Sequence, residues 1–203
     1  MFIDVSMVIR PGSFFRRGVS PVEIGKKKFL EGTREEFEAT VIAMPAHTST
    51  HIDLVFPERM IAPEMMVGRG VLIDVHGISG DMIRMADFEE KIEIGQSDYV
   101  FFRTDWDRFA GTERYFEHPQ LSREILDWLI EKKIYAVGID TQGLARDPLH
   151  GEYDRLMAEN DINVIENLSN LKAINGEESF KVYCFPLKIE GIDAIPARVV
   201  VEQ

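Results

Sequence analysis

The chain reads as a mixed α/β domain. Short, almost continuous apolar runs at Val71–Val75, Tyr99–Arg103 and Ile134–Ile139 have the length and β-branched or aromatic content of buried strands. They alternate with only a few segments of helical periodicity, the clearest following Ser122. No internal repeat, low-complexity tract or Pro/Ser-rich linker interrupts the 203 residues. The expected architecture is mixed sheets with a few covering helices, in one domain over residues 1–203, with 10–38 as an N-terminal arm or excursion.

Taken in order, Asp4–Ile9 alternates enough for a first strand, which Pro11-Gly12 ends. The arm is charged and poorly periodic, with Phe14, Phe15, Phe29 and Phe37 as isolated apolar anchors. Ala39–Met44 reads as a strand leading into a His/Asp-rich segment. Val71–Val75 is bounded by Gly70 and Gly77, and a short helix is expected over Met85–Lys91. Ser122 suits the N-cap of a helix with Ile125, Leu126, Leu129 and Ile130 on one face, ending near Lys132-Lys133. A short helix around Tyr153–Glu159 precedes a strand over Ile162–Leu168, and Phe180–Phe185 and Ala197–Val201 complete the strands.

Bulk properties narrow the function. A chain this long buries about 70% of the surface its unfolded form exposes, so it needs no staples. Net charge is −12, which argues against nucleic acid, because phosphate binding needs a basic surface. The basic clusters Arg16-Arg17 and Lys26-Lys27-Lys28 are followed by Glu31, Glu35, Glu36 and Glu38 and read as a solvated mixed-charge face. No apolar run approaches the ~20 residues that cross a bilayer, so no membrane partner is expected. The first residues, Met1-Phe2-Ile3-Asp4-Val5-Ser6, have neither a basic nor an apolar leader region, and a cytoplasmic location is expected. No strand is followed by a Gly-rich phosphate loop. Cys184 is the sole cysteine, set in an apolar strand, so neither an internal disulfide nor a thiolate zinc site can form within one chain. Any metal must use His, Asp and Glu.

The segment His47-Thr-Ser-Thr-His51-Ile-Asp53 supplies such ligands. All three spacings are even, so an extended backbone projects His47, His51 and Asp53 to one side. On a helix Asp53 would lie about 200° around from His51. The β-branched Thr48, Thr50, Ile52 and Val55 favour the extended form. Two imidazoles and a carboxylate make a metal site for zinc or manganese, whereas the plain alternative is three ordinary surface residues.

The wider pattern resembles the cyclase-like metal-dependent hydrolases, which include kynurenine formamidase (arylformamidase) and isatin hydrolase. The resemblance runs through Asp4-Val5-Ser6, His47 to Pro57, Arg103-Thr104-Asp105-Trp106 and Pro119-Gln120-Leu121-Ser122. It continues through Trp128-Leu129, Gly138-Ile139-Asp140-Thr141, Val164 to Leu171, Pro186 to Gly191 and Pro196-Ala197-Arg198. It implies a swivelling β/β/α fold, a homo-oligomer (dimer or tetramer), a divalent metal cofactor, zinc or manganese, and a small-molecule carbonyl substrate. Carried over residue by residue, His47, His51 and Asp53 are ligands, Glu166 completes or bridges the site, and Asp154 stands where the family has a further His. The family's proton-transfer His corresponds to Pro57, which can neither ligate nor shuttle protons. Asp154 gives the site more oxygen character, which favours manganese or magnesium. Gln142-Gly143 replaces the Ser that relatives tend to carry.

The implied activity is metal-assisted hydrolysis of an amide, lactam or ester, with Glu166, Asp154 and Glu58 as substitute proton-transfer groups in that order. The alternative is a catalytically impaired relative that binds a metal or small ligand. Other readings compete at single residues. Glu166 is either a solvent-facing strand carboxylate or, among Val164, Ile165 and Leu168, a buried charge that needs a partner. Asp154 is a ligand or a helix-start residue; His150 reads as a loop histidine, with the alternative of supplying an imidazole if the chain there reorganises; His76 reads as a turn residue and His118 as a helix lead outside the site. Trp106 lines a pocket or the core, and Arg103 pairs with a carboxylate.

Overall fold

A computed structural model of the chain describes every residue except Phe14, Phe15, Arg17, Met60, Ser79 and Ser97. The anchors Phe14 and Phe15, and the Arg17 half of the Arg16-Arg17 pair, therefore lie outside the described residues. The strands are β1 (Phe2–Asp4), β2 (Glu23–Phe29), β3 (Phe37–Ala43), β4 (His51–Asp53), β5 (Val67–Asp74), β6 (Met82–Ile83), β7 (Tyr99–Arg103) and β8 (Gln120–Leu121). Helix α1 (Arg123–Lys132), β9 (Ala136–Ile139), α2 (His150–Glu159), β10 (Asn163–Glu166), β11 (Phe180–Pro186) and β12 (Ala194–Glu202) follow.

The apolar runs do what their composition demands. Strands β5, β7, β9 and β10 lie side by side and parallel. The sheet order is β1-β12-β11-β5-β7-β9-β10-β4, and β4 pairs back onto β12, so seven strands close into a barrel with β1 beside the seam. Closure leaves β4 no free edge. Alternation along the parallel strands separates two cores. Val71, Ile73, Val100, Phe102, Val137, Ile139 and Val164 pack outward with Ile125, Leu126 and Leu129 of α1 and Tyr153 and Met157 of α2. Leu72, Tyr99, Phe101, Ala136, Ile165, Val182, Val199 and Val201 fill the interior. Gly138 belongs to that inner face, and a Cβ there would lie 2.6 Å from the Phe101 ring and 2.7 Å from Leu168. The mixed α/β class holds, with helices on one side of the sheet.

Several local expectations change. The first strand stops at Asp4, and Ser6 adds only a bridge to Leu168. The arm is not structureless: β2 pairs with β3 from Glu23↔Ala43 to Phe29↔Phe37. This hairpin is a separate two-stranded sheet, so the strand before the His/Asp segment belongs to it and ends at Ala43. Met85–Lys91 forms only a single 3₁₀ turn, Met85–Asp87: the Asp87 carboxylate caps its start by accepting the Arg84 N–H at 2.7 Å, but the backbone at Phe88 is extended and ends it. Helix α1 begins after Ser122 as expected, but the Ser122 hydroxyl donates to Glu124 instead of capping the backbone. Helix α2 starts three residues before Tyr153, at His150. No helix among the described residues is long and apolar enough to cross a membrane.

Candidate metal centre

Three elements bring the site together. β4 places His51 and Asp53 two residues apart, on one face. In the antiparallel β10–β4 pair, Glu166 stands directly opposite His51, which brings their side chains within reach. α2 carries His150 and Asp154 at i and i+4, neighbours on one helical face. His47 does not arrive by strand alternation. It sits in a turn after Pro45, and Ser49 takes a left-handed φ of 61° before β4 begins. The even spacing points to the right residues for a reason that holds only at 51 and 53.

The polar atoms form a continuous cluster. Asp53 Oδ1 lies 2.9 Å from His47 Nδ1 and 3.2 Å from His51 Nε2. His51 Nε2 is also 3.4 Å from Glu166 Oε2. On the other side of Glu166, Oε1 lies 3.8 Å from His150 Nε2, which is 3.4 Å from Asp154 Oδ2. Glu166 thus joins two three-residue groups, His47/His51/Asp53 and His150/Asp154/Glu166, each compact enough to hold one ion.

Both inner imidazoles are oriented by the backbone. His51 Nδ1 is 2.9 Å from the Ser49 carbonyl, and His150 Nδ1 is 3.1 Å from the Ala145 carbonyl. A carbonyl only accepts, so Nδ1 carries a proton in each ring, which leaves Nε2, on the side facing the carboxylates, as the nitrogen that would bind a metal. His47 Nε2 meets the Asp193 carboxylate at 3.2 Å. Gly143 makes the arrangement possible: a Cβ there would lie 2.4 Å from His150 Nδ1 and 2.9 Å from Glu166 Oε1.

Electrostatics describe an anionic, dehydrated site. Burial would raise the Asp53 carboxyl, but the flanking His51 and His47 pull it well below the usual range. Burial, reinforced by the charges of Asp53 and Asp154, pushes Glu166 well above the usual range. Burial and Asp53 likewise raise Asp154. Burial opposes the proton on His47, yet its bonds to Asp53 and Asp193 outweigh that and raise it. Asp53 Oδ2, Asp154 Oδ1 and Glu166 Oε1 are buried with no hydrogen-bond partner among the described residues. Three orphaned carboxylate oxygens beside two outward-facing imidazole nitrogens are costly in a bare protein and suited to a divalent cation. The residues present fit the metal.

The remaining sequence candidates fall elsewhere. Glu58 and Pro57 are exposed, and Glu58 belongs to neither group. Arg103 pairs with Asp74 and Asp105. Trp106 donates to the Tyr115 carbonyl and packs edge-on against Phe109. His76 pairs with Asp74 at the surface. His118 is buried, which lowers it to about 4. Cys184 is a packed thiol that burial pushes up to about 12. Two cluster members were missed by sequence reasoning. His150 had a usable signal, the His-x-x-x-Asp spacing to Asp154, which becomes significant once the helix is extended to residue 150. Asp193 had none, because it reaches His47 through the pairing of β12 with β4.

A barrel with a His/Asp/Glu cluster built on β4, β10 and α2 defines a class of candidate metal-centre proteins, and comparison with known proteins supplies the particular family. The model of the family described as "Putative cyclase" matches residues 3–146, well over half of the chain. An uncharacterized protein of Methanocaldococcus jannaschii is 31% identical over 175 residues, covering 85% of this chain and 87% of that protein. The chain therefore belongs to the "Putative cyclase" family. A solved structure of a potential metal-dependent hydrolase with cyclase activity is 26% identical with a TM-score of 0.77, covering 99% of this chain and 96% of that one. A protein named "predicted metal-dependent hydrolase" from Bacillus stearothermophilus is 27% identical with a TM-score of 0.79, covering 99% and 97%. Isatin hydrolase A from Ralstonia solanacearum shares the fold at 22% identity, with a TM-score of 0.81 over 99% and 91% of the two chains.

Proposed function

We propose that this protein is a metal-dependent hydrolase that cleaves an amide, lactam or ester bond of a small carbonyl compound. The observation that carries the reading is the convergence of the Asp53, Asp154 and Glu166 carboxylates, each with one oxygen buried and unpartnered among the described residues, on the Nε2 atoms of His51 and His150. Zinc or manganese fits this mixed nitrogen and oxygen donor set. His47, His51 and Asp53 would hold one ion and His150, Asp154 and Glu166 a second. The names of the two solved structures at 26% and 27% identity, both called metal-dependent hydrolases, support the same reading. A divalent ion in such a site lowers the pKa of water from about 16 toward ~7 and polarises a carbonyl oxygen.

The chain's own residues do the rest. The Ser49 and Ala145 carbonyls keep His51 and His150 in the tautomer that presents Nε2. Asp193 holds the far nitrogen of His47. The buried walls around Glu166 and Asp53 exclude bulk water, which strengthens every charge interaction inside. A proton must be taken up and returned to the leaving group, a contribution of about 10²–10⁴-fold. With Pro57 in place of a histidine and Glu58 exposed, we assign that role to the unbonded Oδ1 of Asp154, with Glu166 as the next candidate.

The Pro57 substitution also favours a second reading, a metal or small-ligand binder without turnover. One experiment separates the two: the purified chain is assayed with N-formyl anilines, lactams and esters, with and without added Mn²⁺ or Zn²⁺. Metal-requiring turnover that disappears in His51→Ala supports the hydrolase. Tight metal binding with no turnover across the panel supports the binder, and no metal binding at all overturns both.

A further inference from the structure

Beside the His150 half of the site lies an open cavity of about 400 Å³, within the size range of small-molecule sites. His150, His118, Gln142, Arg146, Arg16 and the acidic Asp147 line it. The polarity is unexpected in a chain of net charge −12: two guanidiniums border the cavity that adjoins the most acidic buried cluster. Arg16 is near enough that its charge partly offsets the burial-driven rise of Asp154 and Glu166.

Each guanidinium already holds one carboxylate oxygen. Arg146 Nη2 is 3.2 Å from Asp81 Oδ2, and Arg16 Nη2 is 3.5 Å from Asp147 Oδ2. Those two acidic side chains are 81% and 76% exposed, while Arg146 is 27% exposed. Ion pairs with so solvated a partner contribute almost nothing, so an incoming anion displaces them at little cost. The Arg146 backbone is fixed independently, its N–H donating to Gln120 Oε1 at 2.9 Å. Its planar fork can then change partner without moving the loop, and it suits bidentate carboxylate recognition.

We infer that this cavity receives a substrate carboxylate on Arg146, assisted by Arg16, which narrows the substrate class to small anionic amides, lactams or esters whose carbonyl faces the His150 group. Carboxylate is chosen because its two oxygens match the planar guanidinium fork, while a doubly charged phosphate would meet more repulsion from the lining Asp147 and the neighbouring acidic cluster. The word substrate rests on the hydrolase reading; the anion site does not.

The test is calorimetric titration of the full chain, metal-free and manganese-loaded, with benzoate, its neutral isostere benzamide, and inorganic phosphate. Benzoate is expected to bind about tenfold or more tightly than benzamide, the gain of a charge-assisted pair. Arg146→Gln removes that preference, Arg146→Lys keeps part of it, and Lys181→Gln, on an exposed position of β11 outside the cavity lining, leaves it intact. Arg16→Gln, in the arm, weakens benzoate as well and serves if Arg146→Gln fails to fold by circular dichroism. Equal affinities for benzoate and benzamide, no benzoate binding in the millimolar range, or a preference that survives Arg146→Gln would overturn the inference. Phosphate binding more tightly than benzoate overturns the choice of carboxylate. Arg146-dependent benzoate binding without hydrolysis of any compound sinks the hydrolase reading alone. Faster hydrolysis of neutral formanilide than of anionic N-formylanthranilate sinks the narrowing of the substrate class to anions, leaving the hydrolase reading in place.

Discussion

Replacing Gly143 by alanine tests whether the two halves of the site depend on one cradle. The new Cβ would stand 2.4 Å from His150 Nδ1, 2.5 Å from Cε1 and 2.9 Å from Glu166 Oε1. Ordinary carbon contacts begin near 3.5 Å, so the His150 ring must retreat by about 1 Å. Gly143 also has φ +93°, where a side chain adds about 1–2 kcal/mol of strain. We expect a total destabilisation of roughly 2 kcal/mol, which lowers the melting temperature by about 4–8 °C in a chain of this length. The retreat carries His150 Nε2 away from Asp154 and Glu166, which already lie at 3.4 and 3.8 Å. Loss of that geometry should weaken metal binding at the His150/Asp154/Glu166 group by about 10–100-fold, the usual effect of disturbing the support of a metal-binding histidine. The His47/His51/Asp53 group should keep its ion. Manganese titration by calorimetry, with metal content of dialysed protein by elemental analysis, reads both quantities. A variant with unchanged stoichiometry and affinity would refute the assignment of His150 as a ligand.

Other perturbations follow from the same geometry. Burial and the neighbouring charges of Asp53 and Asp154 raise Glu166, so the folded metal-free chain binds more protons there than the unfolded one. The Glu166 contribution to stability should therefore be most favourable below the unfolded value near 4.5 and fall as pH rises from there through the raised range, a component that Glu166→Gln removes from urea melts across pH; parallel slopes in both proteins would count against it. Asp140 accepts the Thr104 N–H and hydroxyl and the Asp105 N–H, so Asp140→Ala strands buried donors and should cost at least about 2 kcal/mol in denaturant unfolding. Cys184, buried and pushed up to about 12, should resist a thiol reagent in the native protein and react fully in guanidinium; fast native labelling would show that the barrel interior opens.

The fold and the site were legible to different depths. Continuous apolar runs at residues 71–75, 99–103 and 134–139 marked the parallel strands, because burial on both faces leaves no room for polar alternation. Within the 10–38 excursion the hairpin of β2 and β3 is not legible, because its exposed strands alternate too weakly to stand out against their charges. Met85–Lys91 has the spacing of a short helix, but the chain turns extended at Phe88 after one capped 3₁₀ turn.

The site divides along the same line. His51 and Asp53 share a face through strand periodicity, a local property any reader of the chain can apply. His47 reaches them through the left-handed turn at Ser49, Asp193 through the closure of β12 on β4, and His150 through a helix that begins earlier than its apolar pattern shows. Residue order sets which side chains are near neighbours along one element. Only the closed barrel, by pairing strands distant in the chain and docking α2 against β10, decides that Glu166 stands between two groups of ligands.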